Sequence, residues 1–89
     1  MKKIKLKAVA LSFDSELNKA PEIIAKGEGS FAEKIINTAL KENVNVVKDP
    51  DLAEILHEIP AGSEIPDSLY RTVAVIYSFL YDLNKKQEK

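Results

Sequence analysis

The sequence contains no cysteine and a single histidine, His57. The first absence excludes disulfides and thiolate chemistry and leaves the redox compartment unmarked. The second excludes multi-histidine metal sites. No run approaches the roughly 20 apolar residues of a membrane span. The lysine-rich start, Met1 to Lys7, is not followed by the uninterrupted apolar region of a signal peptide. An excess of either charge is missing too: the net charge is −1, which argues against nucleic acid as the main partner, because phosphate binding needs a basic face. What remains is an 89-residue chain, 45% hydrophobic and 30% charged, the composition of one globular domain with a modest core. The expectation is a single cytoplasmic domain over residues 1–89, its charged end at 84–89 frayed, with no metal, no cofactor and no membrane insertion.

The stretch from Ala20 to Ser30 organises the rest. Pro21 fixes its own φ and pushes Ala20 toward an extended conformation. Ile23 and Ile24, adjacent and β-branched, predict a strand over Glu22 to Lys26 buried on both faces. Gly27 and Gly29 can turn the chain, and Ser30 with Glu33 has the form of a capping box opening a helix. Before it, Lys3 to Phe13 alternates, with Ile4, Leu6, Ala8 and Ala10 on one face and Lys3, Lys5, Lys7, Val9, Leu11 and Phe13 on the other, which predicts a strand. The lysines fit a solvated face or guarded sheet edge better than a nucleic-acid or membrane contact. Ser12 to Lys19 is polar, turn-like and too short for a crossover, so the two strands pair antiparallel.

Phe31 to Asn43 reads as a helix with an apolar stripe of Phe31, Ile35, Ile36, Ala39 and Leu40, stopped at Asn43. Val44 to Lys48 reads as a short strand, joined to the preceding one by a right-handed parallel crossover. Asp49 and Pro50 cap and open a second helix that buries Leu52, Ala53, Ile55 and Leu56 and ends at His57. Asp49, Asp51 and Glu54 could form a carboxylate cluster for a cation, but capping and the helix dipole explain the first two better. A connector with Pro60, Gly62 and Pro66 follows, with a short strand near Ile59 or Ile65. The last helix starts at Asp67, with Leu69, Val73, Ile76 and Leu80 on one side and Tyr70, Ala74, Tyr77 and Tyr81 beside them. That face is wider than one sheet needs, and tyrosine suits contact surfaces. A core helix with tyrosine hydroxyls at its rim accounts for the pattern equally well. The whole predicts an α/β (α+β) fold, a mixed four-stranded sheet surrounded by helices.

Two functional readings come from the residues. The turn Gly27 to Ser30, between a strand and a helix N-terminus, could take a phosphate or small metabolite. Both glycine-rich phosphate motifs are absent, however, and Glu28 puts a negative charge in the way. A turn with a helix cap is the better account. The other reading is a protein-binding surface on the tyrosine-lined helix.

Ala8-Val9-Ala10-Leu11, Phe13-Asp14, Ala20-Pro21, Ile23-Ile24-Ala25-Lys26-Gly27 with Gly29, Asp49-Pro50, Leu52-Ala53, Leu56, Glu64-Ile65-Pro66, Leu69-Tyr70 and Val73-Ala74 form an ordered series. The series covers about nine tenths of the chain. It resembles the cytoplasmic C-terminal domain of the FlhB/YscU family, the substrate-specificity switch of flagellar and injectisome type III export. The resemblance implies a small mixed sheet wrapped by helices. It implies a non-enzymatic role in substrate recognition and switching, in the cytoplasm or at the membrane export gate. The implied partners are membrane-anchored FlhB, the export gate, export substrates and the hook-length ruler protein. It also implies a docking patch at Ala20, Pro21 and Ala74, with Tyr77 one helical turn further on, where relatives often carry an aliphatic residue. A paralogue that has lost export and associates only with itself is the remaining reading.

The family's self-cleaving Asn-Pro-Thr-His precedes the Ala-Val-Ala-Leu strand by one residue. Here those positions hold Lys3, Ile4, Lys5 and Leu6. Lysine cannot cyclise to a succinimide and leucine transfers no proton. The resemblance therefore implies a counterpart of the cleaved fragment, made as a separate chain, that does not cut itself. Intact-mass measurement of the purified protein is expected to give one uncleaved species, and a pair of fragments split between Lys3 and Leu6 would refute this.

Overall fold

In the computed structural model, residues 5–17 and 20–87 are described. Strand β1 (Lys7–Ser12) leads through a single 3-10 turn at Ser15–Leu17 toward β2 (Glu22–Glu28). Helix α1 (Ser30–Lys41) follows, then an extended segment, α2 (Pro50–His57), a 3-10 turn at Asp67–Leu69 and the long α3 (Tyr70–Gln87). The turn after β1 is organised by Asp14, whose Oδ1 accepts from the Glu16 amide at 3.0 Å, as side chains of this kind do in tight turns.

The two strands pair antiparallel, as their short connection requires. Directly opposed residues share a face. Ala8 faces Gly27 and Ala10 faces Ala25, so one side of the hairpin carries only small residues. Val9 faces Lys26 and Leu11 faces Ile23, so the other side carries large ones. Helix α1 lies against both strands and buries Ala32 completely. The small side lets it come close: a Cβ built on Gly27 would lie 2.8 Å from Phe31 Cβ. The large side meets α2 and the connector. Ile23, Leu52, Leu56, Ile65 and Val73 form the core there, with Val9, Leu11, Ile59, Leu69, Ile76 and Tyr77 packed around them.

The register slips between Ala10 and Leu11, leaving Ile24 without a partner on β1. This bulge re-phases the alternation. It explains why only one of the two neighbouring isoleucines is inside: Ile23 is fully buried and Ile24 is 58% exposed, against the expectation of a strand buried on both faces.

Where four strands were expected, the described residues hold a two-stranded sheet and one isolated antiparallel bridge, Glu22 to Glu64. That bridge lies in the connector where a short strand was expected. Residues 44–48 join no ladder, so no parallel crossover forms. Val44, Val46 and Val47 are exposed; β-branched residues favour a strand only where neighbours pack on them, and here α1 covers the sheet instead.

Helix boundaries follow local chemistry. Asp49 Oδ1 accepts from the Leu52 amide at 3.1 Å, and Pro50 sits in the first turn. Asn43 adopts φ 61° and ends α1, with the Val44 amide donating to the Ala39 carbonyl and the Asn43 amide to that of Leu40. This is the double reverse bond of a left-handed helix stop. The expected capping box does not form. Gly29 takes the N-cap position and no side chain caps α1. Phe31, Leu40 and Ile55, expected inside, are exposed.

Lys26 joins the hairpin to α2. Its Nζ donates to the carbonyls of His57 and Ile59, each at 2.9 Å, placing a cation at the negative end of the helix. Lys26→Met is expected to lower the melting temperature by at least about 4 °C, the shift that 1 kcal/mol produces in a domain of this size; an unchanged melting curve would show that water serves these carbonyls equally well. Tyr77 holds α3 from the other side, and burial pushes its phenol above the usual tyrosine range. Its un-ionised form is therefore favoured by folding. That contribution is complete below about pH 10 and is lost as pH rises through the raised folded value. Urea unfolding is expected to show a smaller alkaline loss of stability for Tyr77→Phe than for the unaltered chain, and equal losses would place this phenol in water.

Candidate functional site

The connector runs back beside the start of β2. The Ile65 amide donates to the Pro21 carbonyl at 2.9 Å, the Ile23 amide to Ser63 at 2.9 Å, and the Gly62 amide to Ile23 at 2.6 Å. These bonds fix Ala20 and Pro21 against the segment that leads into α3. Pro21 is buried and Ala20 half-buried. Pro21 has no amide hydrogen to satisfy and its carbonyl is taken by Ile65, so its backbone is fixed, and of the pair only the half-buried Ala20 keeps part of its surface open.

On α3, Val73 points into the core at 1% exposure, and Ala74, the next residue, is exposed. Tyr77 is half-buried. It packs on the same core cluster as Ala20. Phe13 completes this region. Its ring centroid lies 5.1 Å from that of Tyr77 with the planes tilted by 39°, within the range of favourable aromatic pairs. Alternation puts Phe13 with the buried face of the first strand. The structure ends β1 at Ser12 and leaves Phe13 exposed over α3. Only the coincidence of a strand-end aromatic with a tyrosine-lined helix hints at the pairing. At the start of α3, a hydrogen bond to the Asp67 carboxylate holds the Tyr70 phenol above its ordinary range.

Of the four positions that the resemblance sets in place of the cleavage motif, Lys3 and Ile4 lie outside the described residues. Lys5 and Leu6 are exposed, and the Leu6 carbonyl accepts from the Gly29 amide at 2.7 Å. That bond bears on the phosphate reading as well, because it engages an amide of the Gly27 to Ser30 turn. Gly27 is packed under Phe31 and Ile35 rather than open to a ligand, and Glu28 stands exposed beside it. At Gly27 the turn is close-packed; Gly29, at φ 64°, faces open space, but its amide is already bonded to Leu6. Asp49 is engaged as a helix cap, and among the described residues no three potential metal ligands converge. No described helix is long and apolar enough to cross a membrane.

What the geometry brings together is the aromatic pair of Phe13 and Tyr77, with Ala20 and Tyr77 packed on the same core cluster and Ala74 exposed beside the buried Val73. Comparison with known proteins fits such a domain. A Bacillus subtilis (strain 168) protein, the uncharacterized YlqH, is 43% identical over 79 residues, covering 89% of this chain and 85% of YlqH. The flagellar biosynthetic protein FlhB of Aquifex aeolicus is 38% identical over 80 residues, but this chain spans only 23% of its length. The cytoplasmic domain of FlhB from Shewanella putrefaciens superposes with a TM-score of 0.83 at 34% identity, covering 92% of this chain and 68% of that one. The mutated (H265A) EscU C-terminal domain superposes at 0.80 with 25% identity, covering 85% and 93%. Residues 7–80 match the family described as FlhB HrpN YscU SpaS, and the chain belongs to that family of type III export components.

Proposed function

We propose that this protein is a non-enzymatic, cytoplasmic component of flagellar type III export that supplements or replaces the cleaved C-terminal fragment of FlhB. It would bind export substrates, the ruler protein or the export gate through Ala20, Pro21, Ala74 and Tyr77. The observation that carries the reading is the match to the FlhB cytoplasmic domain at a TM-score of 0.83 over 92% of the chain, supported by the half-buried Ala20 and Tyr77 and the exposed Ala74, three of the positions where the family resemblance implies docking. The patch supports contact with an apolar segment of a partner. Pro21 and Ile65 fix its floor, and Phe13 and Tyr77 supply an aromatic wall with a polar tip. In place of the self-cleaving motif stand Lys3, Ile4, Lys5 and Leu6, so the protein acts without cutting itself.

The test is genetic. The chain is expressed in cells whose FlhB ends at its own cleavage site, and motility and secreted hook and filament proteins are scored. Restored secretion is the expected result, with loss of restoration in Ala74→Asp, a substitution at an exposed position that leaves the fold intact. Abundant, folded protein without secretion would overturn the replacement role. Restoration that is indifferent to Ala74→Asp would move the contact to another surface.

A further inference from the structure

The outer side of α3 carries apolar surface that the fold does not use. Val75 is 64% exposed and Phe79 61% exposed. Arg71, Ser78 and Asp82 are exposed on the same side. Arg71, Val75, Ser78 and Asp82 follow one another at intervals of four, three and four residues, the spacing that keeps side chains on one seam of a helix facing another helix. Phe79 borders the seam. The opposite side holds the buried Val73 and the half-buried Ile76, Tyr77 and Leu80, so the seam stands clear of this chain's own core.

We infer that this seam pairs with the same seam of a second copy, α3 against α3 in antiparallel orientation about a two-fold axis. The argument is charge complementarity. Arg71 and Asp82 lie on one line, about 16 Å apart along the axis, with the apolar residues between them. Turned end for end, the helix presents Asp82 opposite Arg71 of the other copy, twice by symmetry. In the same register Val75 lies opposite Ser78, whose small side chain lets the helices approach, and Phe79 covers the flank. A parallel pairing would instead set Arg71 against Arg71 and Asp82 against Asp82. The seam is one helix wide, so the contact belongs to the small, readily dissociating class below about 1,200 Å². This inference rests on α3 alone and does not depend on an export role.

Sedimentation velocity of the full chain, from micromolar to millimolar concentration, tests it. The expected result is a monomer that becomes a dimer as concentration rises. Phe79→Glu is expected to remain monomeric with an unchanged helical circular dichroism signal, because Phe79 is outside the core. Arg71→Glu and Asp82→Arg should each weaken association at least about tenfold. Mixing these two variants should restore it. In the mixed pair the carboxylate introduced at position 71 meets the guanidinium introduced at position 82, and the unaltered Arg71 and Asp82 meet at the symmetry-related contact. A monomer at millimolar concentration would overturn the inference and leave the face to a different protein. A dimer indifferent to Phe79→Glu, or charge reversals that mixing does not rescue, would overturn it equally by placing association elsewhere or in another orientation.

Discussion

The structure depends on a hairpin whose two faces differ in size. Ala8, Ala10, Ala25 and Gly27 make one face nearly flat, and Val9, Leu11, Ile23 and the stem of Lys26 fill the other. Burying a side chain the size of isoleucine contributes about 1.5–3 kcal/mol, and that stabilisation arises almost entirely on the large face, where α2, the connector and α3 converge. The flat face contributes differently. It brings α1 so near that even a methyl group at Gly27 would displace Phe31. The bulge at Ile24 keeps both assignments in phase along β2, because a one-residue slip would turn every later side chain to the wrong face.

The backbone at Ala20 and Pro21, where docking is proposed, inherits its rigidity from this arrangement. The connector bonds that hold Pro21 and Ile23 are backbone to backbone, so they fix position without drawing on the side chains a partner would meet. Lys26 adds a second tie, from the large face to the end of α2. Strand, connector and the root of α3 are thereby joined.

Much of this is legible in the sequence because the signals are local. The antiparallel hairpin, the Asp49-Pro50 cap, the stop at Asn43 and the existence of the last helix each follow from residues within one or two turns of where they act, although that helix, expected from Asp67 with a frayed end at 84–89, begins at Tyr70 after a 3-10 turn and runs to Gln87. The ordered residue series also points to the family. What escapes is set by distant partners. Ser30 and Glu33 have the spacing of a capping box, but Gly29 takes the cap while its amide turns to Leu6. Val44, Val46 and Val47 have strand chemistry, but no ladder is there to receive them. Ile24 reads as buried because a bulge leaves no mark in the composition of a strand. Phe13, at the patch, is assigned by alternation that ends one residue before it.

Helix α3 divides the roles of the fold. Helical order in a folded domain comes mostly from packing of an apolar face, and α3 is packed through Val73, Ile76 and Tyr77 on the inner side. Its outer side, with Val75 and Phe79, stands clear of that anchoring and leaves exposed apolar surface, the feature that marks an interaction site where it is contiguous. The two sides therefore answer to different pressures. Changes on the inner side act through stability and move every property together, whereas changes on the outer side act on association alone. Between them lies the flank of Ala74 and Tyr77, where one tyrosine both anchors the helix and borders the docking patch. Substitution there mixes the two effects, which is why the exposed Ala74, and not Tyr77, separates partner binding from folding.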